Sequence, residues 1–521
     1  MNSADQAYDT LQYENLPFWM AHPDWMRTLG LLSGIASRPV NECRVLEIGC
    51  ARGGHLIPLA SLLPGAEFVG IDLAPSQIDA AREFASQLGL TNVRFEAMDV
   101  RDVPTEWGAF DYIICHGVYS WVPEDARRAI LEVCARHLDE HGIAYVSYNT
   151  YPGWHARGML RSMFALEVPP DEPRARIDSA RSFMQLLGER VPETLPLKTW
   201  LDSELTLLSR LSDRYLYFEH LVDDNVPCYF TDFVKVANDV GLDYVTDAEI
   251  LSVVPEQLGE EGGRIVRERA RSADQQVAHV ESQQLLDLLT LRHFRRSLLV
   301  RRGSPVSYGF DPDRFTSMIV ANLAVNDDGD VELDLDDDIE VSIGDDGNFQ
   351  VTSGDPVAVL APWHVARAGR HGLPVAELID LVANQVGSDC ADRVLAWVRD
   401  GFLEGRLLVG TWKRPFAEEL PDRPVGFAVA RAQAAQPSSV VTNLRHEEVT
   451  LDDLERSLLV AMDGTRDRLG LTAAARRDIE AGLVVVEVND EPTTDETVLE
   501  DLIQQRIDRL VDRALIVSPD H

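Results

Sequence analysis

Val45-Leu46-Glu47-Ile48-Gly49-Cys50-Ala51-Arg52-Gly53-Gly54 is the stretch that decides the fold. An apolar run of strand length carries one carboxylate near its end and passes directly into glycines. Twenty-three residues beyond Gly49 stands Asp72, which closes a second apolar run, Phe68-Val69-Gly70-Ile71-Asp72. A buried strand feeding a glycine-rich turn and a helix lets the backbone approach a nucleotide-like ligand. A carboxylate at the tip of the next strand can accept from that ligand's ribose hydroxyls. Gly49 and Gly53 keep the turn free of Cβ atoms, so N–H groups and a helix N-terminus face the ligand.

Outward from this stretch, strand and helix signals alternate up to about residue 150. The strand candidates are Arg44–Ile48, Glu67–Ile71, Val93–Ala97, Tyr112–Cys115 and Ile143–Tyr148, short and apolar and mostly bounded by Gly, Asp or Pro. Helices are expected at Ser76–Leu88, capped by Ser76 and closed at Leu88-Gly89, and at Pro123–Leu138. This alternation builds a parallel, doubly wound sheet. From about 157 to 215 the pattern turns helical, broken at Pro169-Pro170, and reads as an insertion. Asp243–Val245 and Phe294–Val300 then read as a return to the same sheet.

Composition bounds the rest. A chain of 521 residues, 45% hydrophobic, exceeds one ordinary domain. No apolar run approaches the roughly 18 residues of a membrane span, and the start, Met1-Asn2-Ser3-Ala4-Asp5, lacks a secretory pattern. Cys43, Cys50, Cys115, Cys134, Cys228 and Cys390 include no CxxC pair, so reduced thiols in a cytoplasmic protein are expected, with no metal site. The net charge is −38, and only Lys198, Lys235 and Lys413 are lysines among 48 basic residues. Such a surface repels nucleic acid and anionic membrane. It suits a basic protein or a small-molecule partner, or adaptation to a salty cytoplasm.

The acidic turns Asp327-Asp328-Gly329-Asp330 and Asp336-Asp337-Asp338 lack EF-hand spacing and read as solvated loops. Beyond them Pro356–Arg370, Val375–Ala383 and Asp392–Asp400 read as helices, with Asp355 as a cap. Phe402–Val409 is expected as a hairpin, which makes a winged-helix module. Its second helix begins Val375-Ala376-Glu377 and is acidic, so a protein-contact or autoregulatory role is expected in place of DNA binding. Ala432–Ser439 reads as a short linker before a last helical unit, about 440 to 521.

The chemistry-bearing residues sit at strand ends. Glu47 and Asp72 end the first two strands, and Asp99 closes the third in Phe95-Glu96-Ala97-Met98-Asp99-Val100, placed for an adenine amino group. After the fourth comes Cys115-His116-Gly117-Val118-Tyr119-Ser120-Trp121, and after the fifth Tyr148-Asn149-Thr150-Tyr151-Pro152-Gly153-Trp154-His155. This succession resembles the class I S-adenosylmethionine-dependent methyltransferases over residues 40–150. The departure is Ala51, where the Glu-x-Gly-x-Gly-x-Gly pattern has its middle glycine.

Further stretches widen the likeness to nearly the whole chain: Phe18-Trp19-Met20-Ala21-His22-Pro23, Tyr229-Phe230-Thr231-Asp232-Phe233, Thr442-Asn443-Leu444-Arg445-His446-Glu447 and Met462-Asp463-Gly464-Thr465-Arg466-Asp467. Together they resemble bacterial methyltransferases with a methyltransferase regulatory domain, among them protein-lysine methyltransferases of outer-membrane proteins. The resemblance implies an α/β fold: a Rossmann-like seven-stranded methyltransferase sheet with a helical insertion, followed by winged-helix-like α+β C-terminal domains. The divisions expected are 1–156, 157–215, 216–305, 306–415 and 416–521. It implies S-adenosylmethionine as cofactor, held by Glu47, Gly49, Ala51, Gly53, Gly54, Asp72, Leu73, Gln77, Asp99, Val100 and His116.

Methyl transfer from a sulfonium is an in-line displacement that needs positioning and exclusion of water, with no covalent nucleophile. His116, Tyr119, Trp121, Tyr148 and Tyr151 are expected at the acceptor side. Aromatic walls there would hold an alkylammonium by cation–π attraction, and His116 or Tyr119, or equally water, would take the proton or orient the amine. Packing under a lid is the alternative for these aromatics, and for Trp154 the favoured one. His22 and His155 are expected to be structural. An amide- or base-methylating enzyme would carry Asn/Asp-Pro-Pro-Tyr/Phe where His116-Gly117-Val118-Tyr119 stands. The reading is therefore a methyltransferase acting on protein lysine amines. A small-molecule methyltransferase with lid domains and a non-catalytic cofactor-sensing interaction protein are the alternatives.

Overall fold

The structure, a computed structural model, describes residues 16–168, 172–222, 224–270, 272–322, 341–343, 349–351, 355–488, 491–492 and 496–520. Seven strands form the main sheet: β1 (Arg44–Ile48), β2 (Glu67–Asp72), β3 (Val93–Ala97), β4 (Phe110–Cys115), β5 (Leu138–Asn149), β6 (Leu242–Asp247) and β7 (Phe294–Arg301). Their order is β3-β2-β1-β4-β5-β7-β6. The first five run parallel, while β7 lies antiparallel between β5 and β6. The strand order reverses between β1 and β4, where an open sheet of this kind leaves a crevice at its carboxyl edge.

Both faces are covered, which is why the strands read as continuous apolar runs. Val45, Phe68, Tyr112, Ile114, Tyr145 and Leu298 pack on one side. Leu46, Ile48, Val69, Ile71, Ile113, Cys115, Ala144, Val146 and Leu299 pack on the other. The expected strands are all present, with β4 and β5 starting earlier than their apolar stretches. Arg295 of β7 is wholly buried. Its guanidinium donates at 2.8 Å to each carboxylate oxygen of Asp287 and lies 3.8 Å from the Phe230 ring centroid.

Several expectations are corrected. Helix Pro75–Gln87 begins with Pro75 at its first position, so Ala74 occupies the cap and Ser76 lies within the first turn. The helical block runs from Trp154 to Leu221, beyond both expected ends, around a core of its own that includes Leu160, Phe164, Ile177, Leu208 and Leu216. Phe402 and Leu403 finish helix Ala391–Leu403 and form no hairpin. Gly405, at φ +72°, turns the chain, and Leu407–Gly410 pairs antiparallel with the distant strand Ile319–Asn322.

Asp355 does cap helix Pro356–Arg367, accepting from Val357 N at 3.0 Å. The expected linker at Ala432–Ser439 is partly helix, Ala428–Ala434, with Ala430 and Ala434 buried. The expected loops at Asp327–Asp330 and Asp336–Asp338 and the Pro169-Pro170 break lie outside the described residues. The last unit closes back on itself, with Gly426 bridging Ile516 and Phe416 bridging Val517.

Candidate active site

The glycine-rich turn has the backbone that its sequence requires. Gly49 and Gly53 stand at φ +79° and +77°, and a Cβ on either would meet Val118 Cγ2 at 2.3 Å or Phe95 Cζ at 2.7 Å. Ala51 also adopts the left-handed region, at φ +44°. That conformation costs an L-residue roughly 1–2 kcal/mol, and one contact helps to hold it. Ala51 N donates to Asp72 Oδ2 at 2.9 Å, and Ala74 N donates to Asp72 Oδ1 at 2.9 Å. Asp72 thus braces the turn from the tip of β2. A carboxylate has about four acceptor sites, so capacity remains for ribose hydroxyls.

Glu47 is buried, and its Oε2 has no hydrogen-bond partner among the described residues. Burial first, and then the nearby Asp72 charge, push its carboxyl up to about 8. Burial also raises the Asp72 carboxyl, opposed by the amides that bind it. An unpartnered Glu47 oxygen beside a carboxylate with acceptor sites to spare suits a ligand that brings hydroxyls. Gly54 and Gln77 are buried beside the turn, whereas Leu73 is 63% exposed. Asp99 caps the short turn Val100–Asp102 and binds Arg101, which holds its carboxyl below the usual range. The fit to an adenosyl group therefore rests on Glu47, the Gly49–Gly54 cradle and Asp72.

The acceptor-side residues do not converge. His116 lies on the Tyr145 side of the sheet: its Nδ1 is 2.8 Å from Tyr145 Oη, and the Phe18 ring stacks on it at 3.7 Å. Tyr119 and Tyr148 lie on the opposite face, buried against Phe233. Tyr148 Oη sits 3.0 Å from Ser297 Oγ. In this arrangement both tyrosines are buried in the core against Phe233. The reason is alternation along β5, which sends Tyr145 and Tyr148 to different faces. Trp121 is half-buried under the Arg161 guanidinium, 5.7 Å away, and Trp154 is buried.

Tyr151 is different, being only partly covered. It stacks on His155 at 4.1 Å and leans on Tyr229 at 5.3 Å, with His155 Nε2 3.4 Å from Tyr229 Oη. His22, by contrast, is structural as expected: it caps helix Pro23–Leu32 through Nδ1, accepting from Asp24 N at 3.0 Å. Residues that sequence reasoning missed are Phe18 and Tyr145 around His116, and His55. The last follows Gly54 directly, and its Nδ1 lies 2.8 Å from His446 Nε2. Only position next to the turn singled out His55, and no spacing rule links it to a residue 391 positions away.

Comparison with known proteins finds three families along the chain: a methyltransferase domain at residues 45–142, a predicted methyltransferase regulatory domain at 212–301 and the PKMT C-terminal winged helix domain at 422–515. Uncharacterized protein RP789 of Rickettsia prowazekii is 29% identical across 98% of this chain and 93% of its own. Uncharacterized protein RP028 of the same organism is 32% identical over 44% of this chain and 93% of its own. Among solved structures, PKMT2 from Rickettsia typhi in complex with AdoHcy superposes with a TM-score of 0.82 at 22% identity, covering 97% of this chain and all of that one. At that identity the likeness establishes the fold.

Proposed function

We propose that this chain, which belongs to the S-adenosylmethionine-dependent methyltransferases that carry a regulatory domain and a PKMT-type C-terminal winged helix, methylates lysine side-chain amines of a protein. When bound, S-adenosylmethionine supplies an electrophilic methyl carbon. Glu47, the Gly49–Gly54 backbone and Asp72 hold its adenosyl part, with Asp72 accepting from the ribose while it keeps Ala51 and the turn in place. The relatives' cofactor supports this assignment, since the Rickettsia typhi protein was solved with AdoHcy.

The observation that carries the lysine reading is the partly open stack of Tyr151, His155 and Tyr229 past the end of β5. Ring faces attract an alkylammonium by about 0.5–2 kcal/mol, and the chain as a whole carries a net charge of −38 that draws basic partners. A lysine must lose its proton before it can attack. His116 is poorly suited to take it: burial first, and then the Arg296 charge, hold its imidazole near 3. Taking a proton from an ammonium near 10.4 would be uphill by roughly 10 kcal/mol. The amine is therefore deprotonated by exchange with bulk solvent before it enters the site, at a cost of roughly 5 kcal/mol at pH 7, and His116 stays neutral beside Tyr145.

The test is incubation with methyl-labelled S-adenosylmethionine and size-fractionated lysate, followed by mass spectrometry. Label on lysine Nζ in the macromolecular fraction is the expected result, and label confined to the low-mass pool would overturn it. Asp72→Ala should weaken calorimetric binding of S-adenosylmethionine at least tenfold, because both the acceptor and the brace on Ala51 are lost. An unchanged titration removes the cofactor assignment.

A further inference from the structure

The stretches Phe18–Pro23 and Thr442–Glu447, with no catalytic part so far, meet near a second cavity. It offers about 70 Å³ to the centres of water-sized spheres, room for several waters. Its walls come from three units: the N-terminal helix Pro23–Leu32, the central domain expected at 306–415 and the C-terminal domain expected at 416–521. Arg370, Arg414 and Arg445 line it, with His371, Trp412 and Phe416 as its flat walls. We propose that this cavity binds a small oxyanion, the carboxylate or phosphate group of a soluble metabolite, between these three arginines.

Three guanidiniums line one space and repel each other, while Asp24 and Glu447 offset the charge of Arg414, and Glu447 and Asp512 that of Arg445, from a distance. Arg370 pairs with Asp512 at 2.8 Å. Among the described residues, however, no carboxylate lies within 4 Å of Arg414 or Arg445. Arg414 Nη1 donates to Arg445 O at 3.0 Å, and Arg445 Nη2 donates weakly to Asp512 O at 3.4 Å. A guanidinium carries five N–H donors in a planar fork, so among the described residues most N–H groups of these two forks bond no other residue. The one carboxylate in the lining, Asp24, is already engaged through Oδ1 by Thr411 N at 3.0 Å and Thr411 Oγ1 at 2.6 Å. Arginine forks match carboxylate and phosphate geometry. The stacked rings of His371 and Phe416, 4.3 Å apart, fix one wall.

Because the arginines belong to different units, the site exists only when those units are docked. A ligand there stabilises the assembled chain by mass action. The experiment uses the full chain, free of methyl donor, at ionic strength held constant with KCl. Inorganic phosphate and acetate are titrated separately, with thermal unfolding and calorimetry as readouts. At least one of them should raise the unfolding midpoint saturably above chloride alone, and which one does so identifies the group. Arg414→Gln should weaken that binding at least tenfold, and Arg370→Gln, at the more open rim, provides a second test should the first variant fail to fold. Lys413→Gln, with the same charge change on an exposed neighbour, should leave binding intact. The proposal fails if neither anion exceeds chloride, or if the response survives unchanged in the arginine variants.

Discussion

Ala51 stands at φ +44° where the methyltransferase pattern has glycine, and its amide is tied to Asp72. Ala51→Gly would remove a cost of roughly 1–2 kcal/mol in the folded turn, against about 0.4–1 kcal/mol of added freedom in the unfolded chain. The variant should therefore be as stable as the parent or slightly more so, measured by urea denaturation, and a loss of stability would contradict the strain reading. Glu47 carries a pH signature. Its folded carboxyl, near 8, lies above the ordinary value of 4.5. The folded state thus holds a proton that the unfolded state releases, and the stability this gives is present below pH 4.5 and lost as pH rises through 8. Glu47→Gln should accordingly lose little at pH 5 and gain relative to the parent towards pH 8, by at most on the order of 4 kcal/mol. Denaturation curves at several pH values, without cofactor, check it.

Among the elements, β7 tests how the sheet is completed. The Arg295–Asp287 pair joins this strand to helix Gln275–Thr290 with no exposure on either side chain. Removing one partner strands a buried charge, at a cost of about 3–5 kcal/mol. Asp287→Ala should lose about that much by chemical denaturation, while Asp287→Leu with Arg295→Met should recover most of it. The strands themselves were legible in the sequence because both faces of a covered sheet select apolar residues. The wing was not. Leu407–Gly410 has strand character, but its partner, Ile319–Asn322, lies some 85 residues upstream, and no local pattern distinguishes that pairing from a hairpin with Phe402.

In the whole molecule the N-terminal helix, the glycine-rich turn and the C-terminal domain meet at three buried histidines. His55 and His446 are hydrogen-bonded at 2.8 Å, and the His22 ring lies 5.3 Å from that of His446. Burial holds all three below the ordinary imidazole value, aided by one another or by Arg414 for His22 and His446, with His55 near 3. The unfolded chain binds protons at these sites first, so the stability of the junction is full above about pH 6.5 and falls as pH drops below it. At pH 5 the loss is about 2 kcal/mol per imidazole. Limited proteolysis between the central and C-terminal domains should accelerate from pH 7 to pH 5. His446→Gln, which cannot charge, should flatten that dependence, and an unaltered profile would remove the junction from the account.

The chain's own order of residues determined the sheet, the glycine turn and the carboxylates that edge the crevice, because a sheet covered on both faces selects continuous apolar runs and the turn and the strand-end carboxylates are set by local sequence. Tertiary structure alone decided that Tyr119 and Tyr148 turn into the core while Tyr151 stays at the rim, and that His446 reaches His55 across nearly four hundred residues. Which face a side chain takes, and which distant surface it meets, depends on packing between elements, and that packing exists only once the whole chain has closed.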